Sequence, residues 1–228
     1  MPILPLDYPG AKILMDVTTP VEEAWRVKAC KKEPWTVAYI ERIPAGSWFV
    51  DVGANVGPYT LIAAARGLKV CAVEPGYENY AKLCKNLMIN HWEERVIVAP
   101  APLGARQGLE WFAYQDVRAG SAQHVLSPQN GADHSFHKMM VFVMTLDTMP
   151  CFDGNPVWCK IDVDGTELAV LQGGEHFLAH KDTKGLIIEM QPETTEKDVI
   201  QFMADHGWKL TARHQPEKRP ACGEFERA

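Results

Sequence analysis

Blocks of apolar residues alternate with amphipathic segments along most of the chain, and this alternation predicts strands that alternate with helices. Short apolar runs are typical of strands that lie buried in the middle of a parallel sheet. We predict such strands at 48–52, 68–74, 95–98, 157–163, 186–190 and 208–212, with a last strand near 224–227. Apolar spacings of three and four predict helices at 59–66, 77–90, 166–180 and 193–206. This order of elements predicts an α/β fold.

The N-terminal part of the chain departs from this pattern. Residues 1–17 contain three prolines and little periodicity, so we expect an extended arm there. Thr19, Pro20 and Glu22 form a helix-start signal, because Thr caps a helix, Pro suits its first position and Glu bonds back to the cap. We therefore predict one helix from Thr19 to about Lys32 and a second at 35–43.

A polar segment at 116–138 separates two further predicted strands, 107–115 and 139–145. A loop of that length without structure is usually functional or disordered, so we predict that it faces the substrate. The loop also contains a group of possible metal ligands, which are Asp133, His134 and His137. We favour the interpretation that these side chains are simply solvated.

The segment Trp48–Thr60 predicts a strand, a glycine turn and a helix, which is how an α/β fold builds a cofactor cradle. A dinucleotide-binding turn has the pattern Gly-x-Gly-x-x-Gly and presses its backbone against a pyrophosphate. Here Asp51 precedes the turn, and Gly53 and Gly57 are separated by three residues. A carboxylate repels a diphosphate and attracts a positive centre. The turn therefore predicts the methionyl end of S-adenosylmethionine rather than a nicotinamide dinucleotide.

The next predicted strand ends in an acid, Glu74, which Pro75 follows. Glu74 lies 23 positions after Asp51, close to the offset at which a second-strand acid meets ribose hydroxyls. A carboxylate accepts hydrogen bonds from both hydroxyls of a vicinal diol. The alternative is an acid that only caps a loop, and the glycine turn in register favours the ribose contact.

Several ordered motifs resemble those of the FkbM family of S-adenosylmethionine-dependent methyltransferases. The resemblance covers roughly residues 33–190. The motifs that carry it are Asp-Val-Gly-Ala-Asn-Val-Gly-Pro-Tyr-Thr at 51–60, Val-Glu-Pro at 73–75, Leu83-x-x-Asn86-x-x-x-Asn90, Thr145-Leu146-Asp147, Lys-Ile-Asp-Val-Asp-Gly at 160–165 and Ile187-Ile188-Glu189.

This resemblance implies a Rossmann-like class I methyltransferase fold, with a mostly parallel seven-stranded sheet and helices on both faces. It implies that residues 1–35 form an N-terminal arm and helix, either a lid over the cofactor or a packing element at a sheet edge. Residues 36–228 would form a single methyltransferase domain with an inserted substrate loop at about 116–138. The family's loop at Ala101-Pro102-Leu103 flanks the adenine, and Pro and Leu offer a flat apolar wall to it.

The candidate site residues meet at one rim, because ligands of open α/β sheets bind outside the carboxyl ends of the strands. We assign Asp162 as the catalytic residue that positions the acceptor or removes its proton. The alternatives for Asp162 are a contact with the methionyl amine and a structural hydrogen bond. The predicted cofactor-binding residues are Asp51, Gly53, Asn55, Gly57, Tyr59, Thr60, Glu74, Pro75, Ala101, Pro102, Leu103 and Asp162.

Two of these assignments leave further alternatives open. Asn55 either contacts the ligand or hydrogen-bonds the turn itself. We assign no metal ligands, although Asp162, Asp164 and Glu189 could together hold a divalent cation that acidifies an acceptor hydroxyl.

The bulk properties narrow the partners. A net charge of −6 argues against a broad nucleic-acid interface, which needs a basic face. No apolar run approaches the ~20 residues that span a bilayer, and the N-terminus lacks a signal-peptide pattern, so we expect no membrane partner and a cytoplasmic location. The six cysteines form no Cys-x-x-Cys pair and are expected to be reduced.

The function predicted from these observations is methyl transfer from S-adenosylmethionine, with S-adenosylhomocysteine as the product. The family resemblance favours a hydroxyl oxygen on a small molecule or glycan as the acceptor. The alternatives are nitrogen methylation and a non-catalytic protein of the same fold that binds an adenosyl ligand. The oligomeric state is not predicted.

Overall fold

The computed structural model describes the 228-residue chain except residues 1, 115, 123, 127–136, 193–194, 216 and 218–219. The strands are β1 (Ile3–Pro5), β2 (Leu14–Asp16), β3 (Trp48–Val52), β4 (Lys69–Val73), β5 (Val96–Ala99), β6 (Gly108–Tyr114), β7 (Val125–Leu126), β8 (His137–Val143), β9 (Val157–Ile161), β10 (Thr183–Met190), β11 (Trp208–His214) and β12 (Ala221–Arg227). The α-helices are α1 (Ala29–Lys32), α2 (Pro34–Arg42), α3 (Pro58–Ala65), α4 (Tyr77–Ile89), α5 (Glu167–Gln172), α6 (Glu175–Ala179) and α7 (Glu196–Asp205).

Seven strands form the central sheet in the order β11-β12-β10-β9-β3-β4-β5. Strands β5, β4, β3, β9 and β10 run parallel, while β12 runs antiparallel to both of its neighbours. This architecture confirms the predicted α/β fold with a mostly parallel seven-stranded sheet. The carboxyl ends of β3, β4, β9 and β10 consequently lie side by side at one end of the sheet.

Each face of the sheet has its own apolar core. Phe49 of β3 packs with α2, α3 and α4 on one face, while Val50 and Val52 pack with α5, α6 and α7 on the other. All five residues of β3 are buried, as expected for a central parallel strand, and Asp51 is the one polar residue among them. The prediction of helices on both faces is therefore confirmed.

Two predicted helices are interrupted. The helix expected at 166–180 is two helices, α5 and α6, which are separated by Gly173 and Gly174. A Cβ at Gly173 would lie 2.1 Å from the carbonyl oxygen of Gly104, so a close backbone approach fixes the break. The helix expected from Thr19 to Lys32 contains a π-helical turn at Glu22–Arg26 and a separate short α1.

The start of that N-terminal segment is a capping box, as predicted. Thr19 Oγ1 accepts from the amide of Glu22 at 3.2 Å, and Glu22 Oε2 accepts from the amide of Thr19 at 2.8 Å. The helix predicted from residue 193 begins at Glu196, and residues 193–194 lie outside the described part.

The segment predicted as an unstructured loop at 116–138 is partly a sheet. Strand β7 pairs with β6, and β8 already begins at His137, so β7, β6 and β8 form a three-stranded antiparallel sheet. Asp133 and His134, the other candidate metal ligands of this segment, lie outside the described residues.

The N-terminal arm is also more ordered than predicted, because β1 and β2 pair as an antiparallel ladder. Two asparagines hold this ladder, Asn86 on α4 and Asn90 directly after its last residue. Asn86 accepts from the amide of Asp16 and donates to the carbonyl of Val56, both at 2.8 Å. Asn90 accepts from the amide of Leu14 at 2.9 Å and donates to its carbonyl at 2.7 Å. The two asparagines thus act as a hydrogen-bonding edge for β2.

We expect Asn86→Ala to lower the free energy of unfolding by about 2 to 4 kcal/mol, since the buried amide of Asp16 and the buried carbonyl of Val56 lose their partner. Asn90→Ala should cost less, because Asn90 is only half-buried and water can replace its side chain. Urea unfolding followed by circular dichroism measures both. A loss below about 0.5 kcal/mol for Asn86→Ala would contradict the structural role.

Candidate active site

A cavity of about 270 Å³ opens at the carboxyl ends of β3, β4, β9 and β10. The predicted residues that line it are Gly53, Asn55, Glu74, Pro75, Pro102, Leu103 and Asp162. The predicted residues Asp51, Gly57, Tyr59, Thr60 and Ala101 do not line it, and they are buried directly behind this wall. The predicted site residues therefore divide into a group that lines the cavity and a group that is buried without lining it.

The glycine turn after β3 brings two backbone segments into contact. Gly53 has φ +80°, and a Cβ there would lie 1.8 Å from the carbonyl oxygen of Asp162. Gly57 has φ +93°, and a Cβ there would lie 2.3 Å from Leu83. Both positions therefore require glycine, and the turn can lie flat against the end of β9 only for that reason.

Glu74 is buried at the end of β4 and is held by the loops around it. Its Oε2 accepts from the amide of Asn55 at 2.7 Å, and its Oε1 accepts from the amide of Gly76 at 2.8 Å. Burial raises the pKa of the Glu74 carboxyl to about 7, although these amides lower it. The carboxylate is thus fixed in orientation at the cavity and titrates near neutral pH.

The side chain of Asn55 forms hydrogen bonds with the polypeptide itself, which is one of the two alternatives given for this residue. Its backbone has φ +53°, and its Oδ1 accepts from the amide of Val56 at 2.9 Å. Its Nδ2 donates to the carbonyl of Ser121 at 2.7 Å, and Asn79 Nδ2 donates to the same carbonyl at 3.1 Å. The cofactor turn therefore binds the segment that follows β6.

A buried lysine connects the ends of β3 and β9. The Nζ of Lys160 lies 2.9 Å from Asp162 Oδ2 and 3.7 Å from Asp51 Oδ1, and it lies 5.3 Å from the centre of the Tyr59 ring. Asp51 Oδ2 also accepts from the hydroxyl of Thr60 at 2.6 Å. Burial alone would lower the pKa of Lys160, but Asp162 and Asp51 raise it above its ordinary value. Lys160 is therefore a structural cation of the site rather than a surface side chain.

The carboxyl of Asp162 differs sharply from that of its neighbour Glu189. Burial would raise the pKa of Asp162, but Lys160 and Lys32 lower it to about 2. Burial and the negative charge of Asp162 raise the pKa of Glu189 well above its ordinary value. At neutral pH Asp162 is therefore ionised, and Glu189 retains its proton beside it.

The side chains that cover the cavity lie outside the sequence motifs described above. Those from the N-terminal segment are Val21, Trp25, Arg26 and Lys32, and those from the small sheet and its loops are Phe112, Ser121, Ala122, His124 and Leu126. Arg26 donates to the carbonyl of Gly120 through Nε at 3.1 Å and through Nη2 at 2.6 Å. The capping box at Thr19 located the start of this cover, but no motif indicated its contact with the loop that holds Gly120.

A wider, open depression of about 800 Å³ adjoins the cavity. Both share Trp25, Asp164 and Glu189 as lining residues, so the two spaces are continuous. Asp116 and Gln191 line the depression alone. The indole of Trp25 is 51% exposed and offers a flat surface there.

These features fit S-adenosylmethionine. Glu74 is a fixed acceptor for a ribose diol, and Pro102 and Leu103 provide an apolar wall for a planar base. The ionised Asp162 places negative charge at the wall of the cavity, and such charge attracts a sulfonium or an ammonium. Glycine at position 53 allows the backbone after β3 to lie against the carbonyl of Asp162 at the wall of the cavity.

In the part of the chain that the structure describes, no group of three or more His, Cys, Asp and Glu side chains is arranged to hold a metal ion. None of the helices in that part is both long and apolar enough to cross a bilayer.

Solved structures with the same fold are methyltransferases of different kinds. Magnesium protoporphyrin IX methyltransferase from Synechocystis PCC 6803 with bound S-adenosylmethionine matches with a TM-score of 0.56 at 15% identity, covering 93% of this chain and 86% of that one. Precorrin-6y C5,15-methyltransferase from Geobacter metallireducens GS-15 matches with a TM-score of 0.53 at 11% identity, covering 93% of each chain. A Streptococcus pneumoniae protein proposed to be a tRNA (m1A22) methyltransferase matches with a TM-score of 0.52 at 16% identity, covering 87% of this chain and 70% of that one.

At these identities the structures establish the fold alone, and no curated protein sequence matches the chain. The family is established by the sequence itself, because residues 51–210 match the methyltransferase FkbM domain. That span begins at Asp51 and includes Glu74, Asp162 and Glu189. The chain belongs to the FkbM family and is an S-adenosylmethionine-dependent methyltransferase.

Proposed function

We propose that this enzyme methylates a hydroxyl oxygen of a small molecule or glycan. The observation that carries the proposal is the composition of the depression beside the cofactor cavity. Trp25 offers an aromatic surface for a ring, while Asp116, Asp164 and Glu189 offer acceptors or donors for hydroxyl groups. Arg26 also lines the depression, but its guanidinium binds the carbonyl of Gly120. Such a surface suits a neutral, hydroxylated acceptor better than a polyanion.

The cofactor contacts are proposed from the lining residues. Glu74 accepts from the ribose hydroxyls, Pro75 and the Pro102–Leu103 wall pack against the adenosine, and Gly53 and Asn55 pass along the methionyl end. The buried residues have supporting roles: Asp51 fixes Lys160 and Thr60, Tyr59 packs on Lys160, Gly57 permits the turn and Ala101 backs the wall.

Bound S-adenosylmethionine supplies an electrophilic methyl carbon on a sulfonium, which an acceptor oxygen displaces in line, leaving a neutral thioether. The protein must place that oxygen about 3 Å from the carbon and collect the hydroxyl proton. Asp162 lines the cavity and is ionised at neutral pH, and Glu189 beside it lines both the cavity and the depression. We assign Asp162 the role of holding the hydroxyl by a hydrogen bond and accepting its proton.

The low pKa of Asp162 is compatible with that role. A carboxylate of pKa about 2 cannot deprotonate a free alcohol to any extent. The hydroxyl proton becomes strongly acidic, however, as the oxygen forms its bond to carbon, so a weak base suffices if the proton leaves during that step. The neutral Glu189 beside Asp162 then stabilises the charge by donating a hydrogen bond to it.

The affinity for S-adenosylhomocysteine should depend on pH through the carboxyl of Glu74. A ribose diol donates to the ionised carboxylate, so binding should remove the proton that Glu74 carries below pH 7. The affinity should therefore rise about tenfold from pH 6 to pH 8 and level off above the pKa. Isothermal titration calorimetry across this range measures the slope.

Glu74→Gln should bind more weakly and show a flat pH profile, because the amide does not titrate. Glu78→Gln is the matched control, since Glu78 is exposed on the first turn of α4 and should keep the wild-type slope. A wild-type slope in Glu74→Gln would refute the assignment of the ribose contact to Glu74.

The acceptor should carry a hydroxyl group that receives the methyl. Methyl transfer from isotopically labelled S-adenosylmethionine should be found with pools of monosaccharides, oligosaccharides or hydroxylated small molecules. Carbon NMR of the transferred methyl distinguishes an O-methyl from an N-methyl product, and an N-methyl product from amine pools would overturn the proposal.

With such an acceptor, Asp162→Asn should lower kcat by about 10²- to 10⁴-fold with a small change in the affinity for S-adenosylhomocysteine. Asp153→Asn is the control, because Asp153 pairs with Lys69 at the amino end of β4, whereas the cavity lies at the carboxyl ends of the strands. A large loss of affinity with kcat retained at saturation would instead assign Asp162 to the methionyl amine.

A further inference from the structure

Both faces of the small sheet of β7, β6 and β8 carry large apolar side chains. Phe112 and Leu126 on its inner side line the cofactor cavity. On its outer side Leu109 lies opposite Phe142, and Trp111 lies opposite Met140. We call these four residues the outer face. Their exposures are 71% for Leu109, 51% for Trp111, 50% for Met140 and 54% for Phe142.

This composition is typical of a sheet that is covered on both sides. An antiparallel sheet with one face in water normally alternates apolar and polar residues along each strand. Here Leu109 and Trp111 on β6, and Met140 and Phe142 on β8, put four large apolar side chains in a contiguous exposed block. Contiguous exposed apolar patches of this kind mark interaction sites.

The size of the outer face is close to what a protein interface requires. Trp111 and Phe142 are aromatic, and aromatic side chains bury roughly 150 to 250 Å² each, so these two half-exposed rings offer about 200 Å². The smaller but equally or more exposed Leu109 and Met140 bring the apolar area of the outer face to about 400 Å². A twofold contact would bury about 800 Å² from these residues alone. A polar rim would extend this to the ~1,200 Å² at which specific interfaces begin.

The charges favour a protein partner over a lipid surface. The charged residues of β6 and β8, Glu110 and Lys138, are of opposite sign, and the whole chain carries a net charge of −6. Binding to an anionic membrane surface needs a cluster of basic residues around the apolar patch. A second copy of this chain needs none, because an isologous contact places the same uncharged patch on itself.

We propose that the outer face is the interface of a homodimer, in which two copies pack it across a twofold axis. The contact lies directly behind Phe112 and Leu126, so it covers the wall of the cofactor cavity from outside. It buries in each copy the apolar side chains that a monomer leaves in water.

Sedimentation or light scattering of the full chain tests the proposal. The expected mass in solution is twice the 25.5 kDa of one chain. Trp111→Glu and, separately, Phe142→Glu should give monomers, because each buries a charge at the contact. Met88→Glu is the control: Met88 is 60% exposed on α4, and that variant should keep the dimer mass.

Hydrogen exchange of the wild-type protein tests the interface without relying on the folding of the variants. The amides of residues 137–143 should become more protected as the protein concentration is raised through the dissociation constant. A wild type that stays monomeric at about 100 μM, or a dimer that both variants retain, would overturn the proposal. So would flotation of a monomeric wild type with phosphatidylcholine–phosphatidylserine vesicles, which would assign the face to lipid.

Discussion

The ammonium of Lys160, enclosed between two carboxylates, is the interaction on which the site depends. Asp51 and Asp162 end neighbouring parallel strands, and without a cation between them they would repel each other in a region that excludes water. Burial raises the pKa of the Asp51 carboxyl, while the ammonium lowers the pKa of both carboxyls. The positive charge between them lets the loops after β3 and β9 meet at the distance that Gly53 permits. Removing one partner from such a buried group typically costs about 3 to 5 kcal/mol, because the remaining charge is left uncompensated.

The parts of the candidate site that could be placed from the sequence are those set by local rules. Parallel strands place their carboxyl ends at one edge, so the strand-end acids Glu74 and Asp162 could be placed at one cavity before any contact was known. The glycine spacing at 53 and 57 gave the cradle, because only glycine takes positive φ without cost there. Those inferences use the residues of one turn or one strand.

The parts that the sequence did not predict depend on contacts between distant residues. Lys160 lies in an apolar strand, and nothing in that strand shows that Asp51 and Tyr59 lie beside it. The cover over the cavity joins Arg26 to Gly120 across 94 positions, and neither residue belongs to a motif. The short strand β7 escaped notice because two residues carry no periodicity.

The division of labour between the sheet and its loops has a consequence for how this enzyme can diverge. The proposed cofactor contacts come from the ends of the central strands and the loops that directly follow them. The depression that we propose for the acceptor is built from the N-terminal turn with Trp25 and from loops at Asp116, Asp164 and Gln191. Loops accept substitution and insertion far more readily than strands do. Acceptor choice can therefore drift through these segments while the machinery for methyl donation stays unchanged, which allows relatives with one donor to serve unlike acceptors.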